Sequence, residues 1–281
     1  MSRVTIVTDS TASLPDGVAE ALGIVVVPLQ VVIGATSYDE GVATPEMVAE
    51  ALRSFTPVST SRPTPAAMTD VYEAAVKGGA EEIVSIHLSR DMSGTFDSAE
   101  VASRDAPVLV LAVDTRQVGF ATGYAVLAAA AVARDGGTSA EVAAAARARA
   151  DATTSLFYVD TLEYLRRGGR VGTAAALLGG ALAVKPLLTI TDGRVASLEK
   201  VRTASRALAR LEDLAVEAAG EGPAEITVAH LASPDRAEQL AAHLTGRVEL
   251  ASPVRIAELG AVLGAHVGPG MVSVCVAPAL D

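Results

Sequence analysis

The stretch Ile83-Val84-Ser85-Ile86-His87-Leu88-Ser89-Arg90-Asp91-Met92-Ser93-Gly94-Thr95 decides how this chain is read. An apolar strand, Ile83 to Leu88, runs into a short polar loop and then into a helical pattern over Thr95 to Ser103. The same unit recurs on either side of it. Strand-like runs occur at Val4 to Thr8, at Ile24 to Ile33 with a break at Pro28, and at Val108 to Val113. Helical segments fall between or after them at Pro45 to Phe55, Pro65 to Lys77, Gln117 to Arg134 and Ser139 to Ala150. This alternation predicts a mostly parallel, three-layer α/β domain. In such sheets ligands gather where strands end and helix N-termini offer unpaired amides.

Near Thr153 to Asp160 the organisation changes. A strand-like Leu156 to Val159 is followed by Leu162 to Arg167 and the glycine-punctuated Arg167-Gly168-Gly169-Arg170. Leu187 to Thr191 and Val195 to Leu198 flank Asp192-Gly193, the strongest short hairpin signal in the chain. A helix over Thr203 to Ala219, a strand Ile226 to His230, a helix Pro234 to Leu244 and strands near Arg255 to Leu259 and Met271 to Val276 complete a smaller, mixed α+β domain. The expected division is 1–158 and 159–281.

Composition narrows the function. Half of the 281 residues are hydrophobic but only 3% are aromatic and none is Trp, so the cores must be built from Ala, Val, Leu and Ile. The net charge of -11 repels polyphosphates and offers no basic footprint, which argues against nucleic acid. Met1-Ser2-Arg3 leads directly into the first strand without the features of a signal peptide, so a cytoplasmic location is expected. The longest small-apolar segment, Val118 to Arg134, contains Thr122, Gly123 and Tyr124 and falls short of the roughly 20 residues of a spanning helix, so no membrane span is expected. Cys275 is the single cysteine and lies in the alternating run Val272 to Val276, a core position. Neither a metal-ligand spacing nor a nucleotide motif is present, so no metal and no cofactor are expected.

Three polar groups stand out against this aliphatic background. Ser93 or Thr95 can cap the helix that follows while the Gly94 amide faces whatever docks there; an anion site and a plain cap are both open readings. Ser59-Thr60-Ser61 is similar, with Thr64-Pro65 reading as the N-cap and first residue of the next helix. His266 sits in Gly264-Ala265-His266-Val267-Gly268-Pro269-Gly270, a loop in which three glycines allow tight turns beside a ligand, or in which the histidine is structural. Arg166, Arg167 and Arg170 either satisfy helix C-terminal carbonyls or meet an anion or acidic partner. Asp9 follows a strand and is assigned to turn or interdomain hydrogen bonding.

Seven landmarks in order, Val7-Thr8-Asp9-Ser10-Thr11-Ala12, Val27-Pro28-Leu29, Thr60-Ser61-Arg62-Pro63, Ser93-Gly94-Thr95, Arg167-Gly168-Gly169-Arg170, Lys185-Pro186-Leu187-Leu188 and His266-Val267-Gly268-Pro269-Gly270, resemble those of the DegV family across essentially the whole chain. The resemblance implies a two-domain DegV-like α/β fold with a long-chain fatty acid in the cleft between the domains. By that resemblance Ser93, with Gly94 and Thr95, is the best carboxylate ligand, Thr60 or Ser61 the second hydroxyl, and His266 the third partner. It also implies, for some bacterial members, presentation of the fatty acid to a separate fatty acid kinase that makes acyl phosphate. Arg170 and Arg167 would then act at the docking or phosphotransfer surface. Arg62 departs from the family's usual uncharged residue, commonly Gln, which leaves open an altered head-group site or partner surface. The apolar Leu177, Leu178 and Leu182 are the expected tunnel lining, although ordinary core packing explains such a segment as well.

The expected protein is therefore a lipid-binding protein and not an enzyme. The rival is an acyl ester hydrolase with Ser93 as nucleophile and His266 as base. Met92-Ser93-Gly94 lacks the first glycine of a nucleophile elbow, and the sequence identifies no acid to orient the histidine.

Overall fold

The computed structural model describes residues 4–177 and 184–279. Its elements begin with β1 (Val4–Asp9), α1 (Val18–Ala21), β2 (Val25–Val27), β3 (Gln30–Ile33), β4 (Thr36–Asp39), α2 (Pro45–Arg53) and β5 (Val58–Ser61). They continue with α3 (Pro65–Lys77), β6 (Glu82–His87), α4 (Thr95–Ser103), β7 (Leu109–Asp114), α5 (Phe120–Arg134) and α6 (Ser139–Asp151). The remainder is β8 (Thr154–Tyr158), α7 (Glu163–Arg167), β9 (Lys185–Thr191), β10 (Arg194–Val201), α8 (Ala204–Ala219), β11 (Ala224–His230), α9 (Pro234–Thr245), β12 (Arg255–Glu258), α10 (Ala261–Val267) and β13 (Val272–Pro278).

Two compact units result, Met1–Gln30 with Ser61–Asp151 and Val31–Thr60 with Ala152–Asp281. The division at 158/159 is thus displaced. β8 falls in the second unit because it pairs with β9 on one side and β13 on the other. Residues 31–60 join that unit too, which makes it the larger of the two instead of the smaller. Pro28 is the physical reason. Lacking an amide N–H, it splits the run Ile24 to Ile33 into β2, which pairs with β1, and β3, which pairs with β4 and β5.

In the first unit β2-β1-β6-β7 form a wholly parallel sheet. Successive residues of each strand face opposite sides. Ile6, Val84, Ile86 and Val113 pack on Ala125, Val126 and Ala129 of α5 and Val142 and Ala146 of α6. Val7 and Ile83 pack on Met68 and Tyr72 of α3 and on Ala99 and Ala102 of α4. Burying these largely aliphatic side chains on both faces, at about 25 cal/mol per Å² of apolar area, is the dominant favourable term in this unit. The chain steps from β1 to β2 in one direction and from β6 to β7 in the other, so the sheet has a switch point between β1 and β6.

The second unit is built on the mixed sheet β10-β9-β8-β13-β11-β12, antiparallel except for β11 with β12. The β9–β10 hairpin turns at Asp192 and Gly193, with φ of 51° and 75°, as a two-residue turn with both centres left-handed requires. α8, capped by the Thr203 hydroxyl, buries Ala207, Leu211 and Ala215, and with α9 it covers Leu156, Ile226, Val228 and Val274 of the sheet. Among the described residues, no helix is long and apolar enough to cross a membrane.

Candidate binding site

The first group of hydroxyls lies in the loop after β6, at the switch point of the parallel sheet. The loop folds back through Met92 and Ser93, whose amides both donate to the Ser89 carbonyl, at 3.1 and 3.0 Å. Half-buried Ser93 shares a 2.9 Å hydrogen bond with the fully buried Thr95 hydroxyl, and its Oγ accepts from the Thr95 amide at 3.4 Å. The N-cap of α4 is Gly94, which makes no side-chain cap bond, so the expectation that Ser93 or Thr95 caps this helix is corrected. The two hydroxyls share one hydrogen bond, which leaves one of the two O–H groups without this partner. Gly94 lies against the Arg62 side chain. The Arg62 guanidinium donates to the Gly94 carbonyl at 3.1 Å, and a Cβ on residue 94 would lie 1.5 Å from Nη1. Ser61, at the end of β5, is exposed and donates to the Gln30 side-chain oxygen at 3.3 Å.

Beneath this loop a buried polar chain ties the ends of β1 and β6 together. Asp9 accepts from the Thr11 amide and hydroxyl and from the Leu88 amide, and meets His87 Nδ1 at 2.9 Å. His87 Nε2 lies 2.7 Å from the Ser85 hydroxyl, to which Tyr72 donates at 2.9 Å. Asp9 is therefore a buried acceptor in the turn after β1, the first of the two roles its sequence allowed. A serine, a histidine and an aspartate in hydrogen-bonded series invite comparison with a hydrolytic triad. All three side chains are fully buried, so no substrate reaches them. The alternation of Ser85 and His87 within an apolar strand is the sequence signal for this shared polar face.

The second group belongs to the other unit and centres on His266. The residue is not in a loop: it occupies the last turn of the short helix α10, and only Gly268 and Gly270 of the three glycines have positive φ. Seven residues with an internal glycine carry too little helical pattern to be read from sequence. The helix forms because Glu40 accepts from the Val262 amide at 2.9 Å and because Gly264 admits Leu231, which a Cβ would meet at 3.2 Å. His266 Nε2 lies 2.8 Å from the Thr60 hydroxyl. Its Nδ1 is buried without a hydrogen-bond partner and rests against Gly168, where a Cβ would come within 2.2 Å. Burial, and then the nearby charge of Arg170, push His266 down to about 4, so the ring is neutral at physiological pH. Arg170 is half-buried and its guanidinium donates to the Gly168 carbonyl. Arg167 is exposed and bonded to Glu163 at 2.8 Å, and Glu163 is held down to about 2 by Arg166 and Arg167.

The structure thus brings Thr60 to His266 in one unit, and Ser93 to Thr95, Gly94 and Arg62 in the other. No carboxylate meets His266 Nδ1 among the described residues, and the Ser93 hydroxyl is bonded to Thr95, so the hydrolase reading gains no support. Leu178 and Leu182 lie outside the described residues, and Leu177, at the end of a 3-10 turn over Gly172–Leu177, is described in its backbone alone. A cavity of about 460 Å³ in the second unit is bounded by Arg53, Asp160, Asp235 and Arg236, charged walls unsuited to an acyl chain.

Residues 3–279 match the family model described as "Uncharacterised protein, DegV family". The chain belongs to the DegV family. A DegV domain-containing protein of Streptomyces coelicolor is 52% identical over 278 residues, covering 98% of this chain and 99% of the relative. Among solved structures, a fatty-acid-binding DegV family protein from Thermus thermophilus superposes with a TM-score of 0.93 at 31% identity, covering 99% of this chain and all of the other. DegV from Bacillus subtilis, described as a fatty acid binding protein, gives a TM-score of 0.88 at 30% identity over 99% of this chain and all of the other. The DegV likeness spans both units and accounts for the pairing of a parallel-sheet unit with a mixed-sheet unit.

Proposed function

We propose that this DegV protein binds a long-chain fatty acid, with the Thr60 hydroxyl, oriented by His266, donating to the carboxylate and the hydroxyls of Ser93 and Thr95 as further partners. The observation that carries the reading is the Thr60–His266 hydrogen bond at 2.8 Å around a neutral, buried imidazole. With Nε2 protonated and donating to the threonine oxygen, the threonine O–H is free to donate to a carboxylate. The fatty-acid-binding proteins of Thermus thermophilus and Bacillus subtilis, alike over nearly the whole chain, support the same ligand class.

Affinity comes from the tail. Burying about 14 methylenes at roughly 0.8 kcal/mol each gives a gross term near 11 kcal/mol, against about 1.5 to 3 kcal/mol for a hydrogen bond to a charged group. The head supplies orientation, so Ser93→Ala weakens binding modestly and does not abolish it. The cargo is presented to a separate kinase for acyl phosphate formation, with Arg170 and Arg167 on the docking side, and the protein itself works in the cytoplasm. Denaturing extraction of freshly purified protein followed by mass spectrometry tests the ligand claim: a near-stoichiometric long-chain fatty acid is expected. Release of nothing apolar, together with failure to bind added fatty acids, would overturn it.

A further inference from the structure

Arg62 is an exposed arginine whose only described bond is to a neutral carbonyl. Its Nη1 donates to Gly94 O at 3.1 Å, and its guanidinium fills the space beside the Gly94 Cα that any larger residue would need. Among the described residues no carboxylate pairs with it. Arg90, the other arginine near this loop, is by contrast bonded to Asp97 at 2.8 Å and lies over the Phe96 ring. The guanidinium is thus held at the carbonyl of Gly94, the residue between Ser93 and Thr95 in the chain, and four of its five N–H donors remain for another acceptor. His266, being neutral, brings no charge of its own to a ligand.

We propose that Arg62 determines head-group specificity: its planar fork pairs with the anionic head of an amphiphile, carboxylate or phosphate monoester, while Gly94 O keeps it in place. The inference rests on the reading that Ser93 and Thr95 meet the head group. A guanidinium, unlike a glutamine amide in the same place, distinguishes a charged head from a neutral one of equal length, and gains more from two negative charges than from one.

The test is equilibrium dialysis of delipidated protein with dodecanoate, dodecyl phosphate and dodecanol, using the wild type, Arg62→Gln and Arg62→Lys. Arg62→Gln is expected to weaken dodecanoate about tenfold and dodecyl phosphate several times more, leaving dodecanol within about twofold, since a charge-assisted hydrogen bond is worth roughly one to two decades. Dodecanoate binding should also lose most of its salt dependence in that variant, with Arg62→Lys in between. Equal weakening of all three ligands would make Arg62 a mere brace for the Gly94 loop and overturn the proposal, as would no change in any. If the wild type binds dodecanol and dodecanoate equally, selectivity is absent and Arg62 has no such role. Should the wild type bind none of the three, the carrier reading fails first.

Discussion

Replacing His266 by glutamine should remove a pH dependence of stability whose size follows from the burial of the ring. In the folded chain His266 protonates only near pH 4, whereas in the unfolded chain it does so near its ordinary 6.5. As pH falls below 6.5 the unfolded state takes up the proton first, and folding stability is lost until pH 4, below which both states are charged. At 1.36 kcal/mol for each pH step the ceiling is about 3 kcal/mol, and between pH 7.5 and 5 the loss is about 2 kcal/mol. Glutamine keeps a group able to bond Thr60 but does not titrate in this range. Urea unfolding of delipidated wild type and His266→Gln, each at pH 7.5 and pH 5, isolates the term, because His87, His230 and His243 are common to both proteins and cancel. Delipidation matters, since a ligand bound only to the folded state adds its own stabilisation. The wild type is expected to lose about 2 kcal/mol more than the variant on acidification. Equal losses in the two proteins would refute the reasoning, because they would mean that His266 titrates alike folded and unfolded, and hence that it is not held as a neutral donor.

Gly168→Ala would place a Cβ 2.2 Å from His266 Nδ1 and should cost roughly 1–3 kcal/mol by overpacking, with loss of fatty acid binding alongside; unchanged melting and binding would show that the histidine moves aside freely. Tyr72→Phe deletes the buried hydroxyl that donates to Ser85 and should cost about 1 kcal/mol in thermal or urea unfolding without altering ligand binding, since the polar chain it closes only braces the strand ends. Phe55→Gly should raise stability by roughly 0.5–1 kcal/mol, because this residue is 85% exposed and sits at φ 59° just past the end of α2, a left-handed position that glycine adopts without strain; a fall in the unfolding midpoint would contradict it.

Much of the fold was legible because its signals are local. α3 and α4 occupy the segments expected of them, and the Asp192-Gly193 turn joins the two strands predicted on either side. The losses share a cause. β4 and β5 are four-residue strands without an apolar alternation, and α10 is a single short helix held by Glu40 from more than two hundred residues away. Elements of that length owe their existence to partners distant in sequence, which a window of neighbours cannot contain. The domain division suffered likewise. It depends on which sheet β3 and β8 join, and strand pairing is a long-range choice.

The site was legible as an inventory and illegible as a set of pairs, and the reason is chemical. Hydroxyls, a histidine and glycines announce themselves by residue type against an aliphatic background, so Thr60, Ser93 and His266 could be singled out one by one. What each glycine is for could not be read, because a glycine records only that a side chain is excluded. Gly94 excludes one in favour of the Arg62 guanidinium and Gly168 in favour of the His266 ring, and neither backbone has a positive φ, so neither residue is explained by its own conformation. In both places the missing Cβ is the imprint of a polar side chain brought from far along the chain. Substituting those two glycines therefore probes the head-group contacts more directly than truncating the tail's surroundings does: Gly94→Ala should mimic Arg62→Gln in flattening the preference for dodecanoate over dodecanol. If Gly94→Ala leaves that preference intact, the guanidinium reaches the ligand from some other position, and its contact with the Gly94 carbonyl is incidental.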